Sequence, residues 1–251
     1  MTHVDIDSPA NQRVKAWRSL RKRRDRDATG LFLIEGERET LRAASQLDVV
    51  EVILREDRED VPLVGATIVS DRVFAAVSAR QHPDGVAAIV QTPSMSLSGL
   101  SQNDARLVLV ADGVEKPGNV GAMIRTCDAM GATFIGSSLR TDLVNPNVIR
   151  SAQGSLFLTP VADGHRSEVI AWCTDNTEVI VASPDGDTSL WSCDLTDSTT
   201  IVVGAEDTGV HSDWNGAGRS VSFPITGTAD SFNTSTTAAI FLAEALRQRT
   251  A

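Results

Sequence analysis

The chain has little cysteine and little histidine, and neither is grouped. Its three cysteines, Cys127, Cys173 and Cys193, are odd in number and far apart. They make neither a disulfide framework nor a paired metal-ligand motif, which fits a reducing compartment, the cytoplasm. The four histidines (His3, His82, His165 and His211) are equally scattered, so no zinc-type spacing exists and no metal is expected. No run of about 18 apolar residues occurs, and no charged-then-apolar leader opens the chain, so neither a membrane span nor a signal peptide is expected. Two glycine motifs are also missing. Without G-x-x-x-x-G-K-[ST] the chain is not a P-loop nucleotide hydrolase. Without G-x-G-x-x-G after a strand, a dinucleotide oxidoreductase or an ordinary Rossmann-type methyltransferase site is disfavoured.

What is present is 251 residues, 41% apolar, with a formal net charge of −10. That length fits one large domain or a small one plus a medium one. The acidic average argues against indiscriminate nucleic-acid binding, yet it hides a local excess of cations. Residues 1–10 read as a frayed terminus. From Asn11 to Arg26 a helical pattern carries Arg13, Lys15, Arg18, Arg21, Lys22, Arg23, Arg24 and Arg26, with Trp17 and Leu20 as its apolar spots. The pattern reads as a phosphate-contacting arm, the alternative being a solvated helix face.

Strands at 31–34, 49–54, 67–69 and 86–90 alternate with helices near 37–45 and 71–79, an α/β unit. A Ser-, Pro- and Gly-rich stretch follows and reads as a linker. The expected division is 1–91 as a small α/β domain, 92–105 as a linker, and 106–251 as a second domain.

The second domain opens on the continuous apolar run Leu107–Ala111, suited to a parallel sheet covered on both faces. Lys116-Pro117-Gly118-Asn119 and then a helix come next. Val120, Met123, Ile124 and Cys127 form the helix's apolar stripe, and Arg125 lies about 160° from it at 100° per residue. Further strands are expected at 133–135, 179–182 and 200–203, and helices at 145–154 and 167–173. The strand at 200–203 runs into Gly204-Ala205-Glu206-Asp207-Thr208-Gly209. A last short strand stops at Pro224, and a loop on Gly227 leads to Ser231 and Asn233, both good caps for the final helix. That helix carries Ala239, Leu242, Ala243 and Leu246 at i, i+3, i+4, i+7, with Ile240 and Phe241 widening the stripe. Three strand-to-glycine-loop junctions, near 110, 203 and 223, would build one pocket if their strands lie in one parallel sheet.

Taken together these junctions resemble the SpoU (TrmH-type) branch of the SPOUT class of RNA methyltransferases. Asn119-Val120-Gly121-Ala122-Met123-Ile124-Arg125 is similar to the motif N-x-G-x-x-x-R. Val203-Gly204-Ala205-Glu206 with Gly209 is similar to the second motif, and Phe223-Pro224-Ile225 with Gly227 and Ser231-Phe232-Asn233-Thr234-Ser235 to the third. Arg150–Phe157 is similar to a stretch between the first two. The resemblance implies a trefoil knot, a homodimer joined through the last helix, and S-adenosylmethionine as cofactor. It implies methyl transfer to a ribose 2′-hydroxyl, with ribosomal RNA as substrate; transfer RNA, or an RNA-binding knotted protein without activity, are the alternatives. The catalytic residues implied are Asn119, Arg125, Glu206, Ser231 and Asn233. The cofactor-binding residues implied are Gly204, Phe223, Ile225, Gly227, Phe232 and Asn233. Phe223 and Phe232 stand where the family usually has aliphatic residues, and Thr234 where valine is common. The first 90 residues resemble the small substrate-binding domain of many members, and RNA contacts are expected there from Arg13, Lys15, Arg18, Arg21, Lys22, Arg23 and Arg24.

Overall fold

A computed structural model of the chain describes residues 3–250. Two compact units result: Met1–Pro93 with Val144–Leu158, and Ser94–Leu143 with Thr159–Ala251.

In the first unit, α1 (Gln12–Ser19) begins at Asn11, whose side chain accepts from the Arg13 N–H at 2.8 Å. The expected single helix over 11–26 is two helices, because the chain turns at 20–22 before α2 (Arg23–Thr29). Leu20 is buried at that turn, and the buried Arg26 folds back to donate to the carbonyls of Leu20 and Arg21, both at 3.0 Å. Gly30, in the left-handed region at φ +66°, closes α2. The remaining elements are β1 (Leu31–Glu35), α3 (Glu37–Ala44), β2 (Val49–Arg55), β3 (Thr67–Val69), α4 (Asp71–Val77) and β4 (Val86–Gln91). The sheet order is β1-β4-β2-β3, antiparallel except for the β2–β3 pair. Val14, Trp17 and Leu20 of α1 share a core with Val73, Phe74 and Val77 of α4. Residues 3–10 are not frayed as a whole: Ile6 is buried and bridges Val69.

The second unit contains β5 (Leu107–Asp112), α5 (Pro117–Met130) and β6 (Thr133–Ser137). The chain then leaves for α6 (Pro146–Ala152) and a short turn through Phe157, which belong to the first unit. There the Phe157 ring stacks on Phe32 at 6.3 Å. The stretch 144–158 therefore interrupts the expected 106–251 domain, because its apolar residues Val148, Ile149, Leu156 and Phe157 are buried with the first unit. The second unit resumes with β7 (Val161–Gly164), α7 (Arg166–Asn176), β8 (Glu178–Ala182), β9 (Thr188–Ser189), β10 (Thr199–Val203), β11 (Arg219–Ser222) and α8 (Thr234–Thr250). Its sheet is parallel throughout, in the order β7-β6-β5-β10-β8-β11-β9.

All six residues of β5 are buried, as a strand covered on both faces requires. Val108 and Val110 face a cluster with Val169, Cys173 and Trp214. Leu109 and Ala111 therefore face the opposite side. α5 and α8 pack on each other, and α8 also packs on β10. The expected linker is not free: from Ser94 onward it belongs to the second unit. Leu97 and Leu100 pack against the same cluster, and the Met95 carbonyl accepts from Asp163 N–H at 2.7 Å.

The buried face of α8 is not the expected stripe. Thr234, Ala238, Phe241, Leu242, Glu244 and Ala245 are buried, whereas Ala243 is exposed and Ala239, Ile240 and Leu246 are half-buried. The phase is set at the first residue, where the buried Thr234 hydroxyl donates to the Gly204 carbonyl at 2.8 Å. Glu244 is buried because Arg247 and Gln248 both donate to it. These bonds, Arg247 foremost, hold its carboxyl down to about 2. No described helix is long and apolar enough to cross a membrane.

Candidate active site

The ends of β5, β10 and β11 lie on the same edge of the parallel sheet, and β5 and β10 are neighbours. β11 is not their neighbour, since β8 stands between it and β10, so a fourth strand end enters the site. Its loop, Ala182-Ser183-Pro184, lines the cavity that opens there. Sequence reasoning missed it, although Ser183-Pro184-Asp185-Gly186 after an apolar strand is itself a turn signal.

The cavity has a volume of about 200 Å³. Gly204, Glu206, Phe223, Ile225, Ser231 and Phe232 all line it, so five loop residues expected from the second and third motifs meet with Glu206 in one place. Gly204 is needed for close approach: a Cβ there would lie 2.0 Å from the Gly209 backbone. The loop it opens is pinned by mutual backbone bonds between Ala205 and Gly209, at 3.1 and 2.9 Å. Phe223 and Phe232 meet edge to face at 5.5 Å, and Trp191 meets Phe223 at 5.3 Å. An aromatic wall of this kind suits a flat heterocycle, while the Gly204 and Ser183 loops supply backbone donors and acceptors. Gly227 does not line the cavity; it is exposed, with open space on its Cα.

Beside the cavity Glu206 gathers three side chains. Asn119 Nδ2 donates to its Oε1 at 3.0 Å, Asn233 Nδ2 donates to the same oxygen, and Lys116 Nζ donates to Oε2. Asn233 Nδ2 also reaches Asn119 Oδ1 at 3.3 Å. One residue from each motif is thus tied to the others. Asn119 lies inside the first turn of α5 rather than before it, because Pro117 fits the first helical position and starts the helix early. Asn233 has two tasks. Its Oδ1 accepts from Ser235 N–H at 2.9 Å, capping α8, while its amide nitrogen serves Glu206. Ser231 is exposed at the cavity and is not the cap.

Arg125 is exposed and makes no hydrogen bond or ion pair among the described residues, while Val120, Met123, Ile124 and Cys127 are buried beneath it. A guanidinium without an internal partner on a well-packed helix is available to a ligand.

Behind the loops the frame is held by Asp112, which is 1% exposed. Burial pushes its carboxyl up, but hydrogen bonds from Ser137 Oγ (2.7 Å), Arg166 Nε (2.8 Å) and the His211 N–H (3.0 Å) outweigh that and hold it below the usual carboxylate range. One carboxylate thereby joins the ends of β5 and β6, the start of α7 and the chain after β10.

In the first unit, the expected basic arm is partly consumed by the fold. Arg13 pairs with Glu51, donates to Thr67 Oγ1 at 2.8 Å, and stacks over Trp17. Arg21 donates to the carbonyls of Ala76, Val77 and Ser78 at the end of α4. Arg23 and Arg24 are exposed beside Asp27 and Asp25. Lys15, Arg18 and Lys22 are exposed without such partners among the described residues. Among the described residues no group of three His, Cys, Asp or Glu could hold a metal.

Residues 106–243 match the SpoU rRNA Methylase family, and residues 11–88 match the MRM3-like substrate binding domain. The 23S rRNA (guanosine(2553)-2′-O)-methyltransferase RlmP of Bacillus subtilis is 32% identical over 246 residues, covering 94% of this chain and 97% of that protein. The 23S rRNA (uridine(2479)-2′-O)-methyltransferase of Streptomyces viridochromogenes is 29% identical, covering 95% and 91%. A crystal structure of the SpoU methyltransferase AviRb from the same organism, in complex with the cofactor AdoMet, superimposes with a TM-score of 0.85 at 27% identity, over 96% of this chain and 99% of that one. The chain belongs to the SpoU rRNA methylase family.

Proposed function

We propose that the protein transfers a methyl group from S-adenosylmethionine to a ribose 2′-hydroxyl of ribosomal RNA. The observation that carries this reading is the joining of Asn119, Glu206 and Asn233, one residue from each motif, beside a cavity walled by Gly204, Phe223, Ile225 and Phe232. The two relatives named above act on different bases, a guanosine and a uridine, so what they share is chemistry at the ribose.

When bound, S-adenosylmethionine supplies an electrophilic methyl on a sulfonium. The chain's own part is alignment. The aromatic wall and the Gly204 loop hold the cofactor's flat and polar portions. Glu206 fixes Asn119 and Asn233 so that the three loops keep one spacing, and a hydroxyl aimed in line with the methyl reacts without further reorganisation, its proton passing to water as the new O–C bond forms. A guanidinium keeps its proton in proteins, so the role of Arg125 is a clamp rather than a base. It grips the phosphate beside the target ribose and stabilises the developing alkoxide. Ser231, at the cavity mouth, contacts the incoming nucleotide.

The knot and the dimer belong to the same reading. Thr234 reaches Gly204 at the end of β10 although the preceding strand, β11, lies two places away, so the chain returns across β8. That path supports a C-terminal segment threaded under earlier loops. Ala239, Ile240, Ala243 and Leu246 leave an apolar face on α8, which supports a homodimer joined there. The expected setting is the cytoplasm, where the substrate resides.

The test is to incubate the protein with methyl-labelled S-adenosylmethionine and either ribosomal or transfer RNA, and to map ribose methylation. A single ribose-methylated site in ribosomal RNA is the expected result. Labelling of transfer RNA alone would replace the substrate, and no labelling of either would leave an RNA-binding protein without activity.

A further inference from the structure

Most arginines of the first unit are neutralised within it. Arg13, Arg55, Arg58, Arg72 and Arg80 each lie within ion-pair distance of an aspartate or glutamate. Arg38, Arg42 and Arg150 do not. None has an ion pair among the described residues, and they converge on the C-terminal end of α6 from two segments remote in sequence.

Arg38 and Arg42 are four residues apart on α3 and share a face. Arg38 Nη2 donates to Gln153 Oε1 at 3.1 Å, and Arg42 Nη1 donates to the Gln153 backbone carbonyl at 3.1 Å. Gln153 takes the left-handed conformation at φ +52° to end α6. The next residue must be glycine: Gly154 has φ +84°, and a Cβ there would lie 2.7 Å from Arg42 Cδ. Arg150 lies one turn before Gln153, is exposed, and makes no hydrogen bond.

A glutamine differs from a carboxylate in one decisive respect: it orients a guanidinium without cancelling its charge. Each guanidinium has five N–H donors and Gln153 accepts from one on each of Arg38 and Arg42, so most donors and all the charge remain available. Three guanidiniums without an ion pair among the described residues repel one another unless an anion completes them. Glu35, which shares a cavity with Arg150, is engaged by Ser78 and the Ala79 N–H, and this chain, with a net charge of −10, has acids enough for pairing. The guanidinium fork matches phosphate oxygens two at a time.

We infer that Arg38, Arg42 and Arg150, bracketed by Gln153, form a phosphodiester-binding patch through which the first unit grips the RNA substrate. This rests on the reading of the chain as an RNA methyltransferase. It also moves the main electrostatic contact away from the α1–α2 arm, where Arg13 and Arg21 are occupied. The stretch that completes the patch, 144–158, lies in sequence between the first two motifs of the methylase match. One insertion thus supplies the substrate-gripping unit with a residue from the catalytic half of the sequence.

The test measures binding of a 23S ribosomal RNA transcript between about 50 and 200 mM salt, with S-adenosylmethionine binding followed by calorimetry on the same samples. The triple variant Arg38→Gln, Arg42→Gln, Arg150→Gln should flatten the slope of log affinity against log salt by about 2 to 3, from three lost phosphate contacts at roughly 0.7–0.9 each. Its KM for RNA should rise at least tenfold with kcat and cofactor affinity unchanged. A comparator carrying Lys15→Gln, Arg18→Gln and Lys22→Gln should change the slope less. Wild-type RNA affinity and slope in the triple variant overturn the proposal, as does a larger loss in the comparator. Should the triple variant fold poorly, Arg150→Gln decides alone: its side chain is exposed and unbonded, so the fold survives, and an unchanged slope removes the patch. Wild-type protein that binds neither S-adenosylmethionine nor RNA would instead refute the methyltransferase reading itself.

Discussion

Replacing Glu206 by glutamine should slow methyl transfer far more than it loosens the fold. The native carboxylate accepts from Lys116, Asn119 and Asn233. The lysine pair is discounted, because Lys116 is 69% exposed and such surface pairs are worth about 0–1 kcal/mol. The two amide bonds go to a charged acceptor and would be worth about 1.5–3 kcal/mol each if buried. Here Asn233 is exposed and Asn119 only half-buried, so the lower end applies and the sum is about 3 kcal/mol. Glutamine can keep both asparagine bonds on one carbonyl oxygen, but as bonds to a neutral acceptor worth about 1 kcal/mol less each, and it turns its NH₂ toward the Lys116 ammonium. About 2 kcal/mol of local order is therefore lost, or roughly thirty-fold in kcat if all of it falls on the alignment of the transition state. The melting temperature should drop by no more than about 8 °C, on the scale of 2–4 °C per kcal/mol for a chain of this size. The start of α8 is held separately, by Thr234 on Gly204. Steady-state kinetics on ribosomal RNA with a parallel thermal melt give both numbers. A double-mutant cycle with Asn233→Ala should show coupling of about 1 kcal/mol or more, because the residues share one network. A kcat within threefold of wild type, or strictly additive losses, would show that Glu206 does not set the geometry of the three loops.

Four other outcomes are expected. Arg125→Ala should abolish methyl transfer, costing about 3 kcal/mol or more by analogy with oxyanion-hole donors, yet leave the melting curve unchanged, since the side chain is exposed and makes no hydrogen bond or ion pair among the described residues; activity within threefold would demote it to a surface residue. Asp112→Asn should destabilise strongly, about 3 kcal/mol, by leaving Arg166 with a neutral partner. Because the folded Asp112 carboxyl lies below its usual value, its contribution is full above about pH 4 and is lost as pH falls through the depressed value; the variant's stability, followed by denaturant titration, should therefore lose less than wild type on acidification below pH 4. Ile240→Glu with Ala243→Glu, on the half-open face of α8, should shift light scattering from dimer to monomer and lower activity, whereas an unchanged mass would clear α8 of an interface role. The buried cysteines should resist thiol reagents in the native state, since burial pushes Cys173 up to about 12 and Cys127 also well above its ordinary value; rapid native labelling would contradict that packing.

Much of the fold was written in local pattern. The apolar run Leu107–Ala111 of β5, buried throughout, announced a parallel sheet, because a strand covered on both faces is apolar along its length. The stripe of α5 placed Arg125 on the open side correctly, since helical period alone fixes which residues share a face. On α8 the same reasoning chose the wrong phase. Its apolar residues run nearly all the way round, and the choice fell to one hydrogen bond from Thr234 to a strand end thirty positions earlier.

The sequence by itself determined which residues could meet: three loops, each opening from a strand at a glycine or small polar residue, with an asparagine, a glutamate and a second asparagine carried among them. Strand order, the fourth loop at Ala182–Pro184, and the bonds that make Glu206 the common acceptor were decided by the tertiary structure alone, because pairing between distant strands leaves no periodic trace in either partner. The same holds for the cations. A row of arginines at 13–26 looks alike whether it faces RNA or a carbonyl-lined helix end. Only packing shows that Arg13 and Arg21 are bound internally while Arg38, Arg42 and Arg150 make no ion pair among the described residues. Charge is a property of composition, but whether it is free to act depends on what the fold sets within about 4 Å of it.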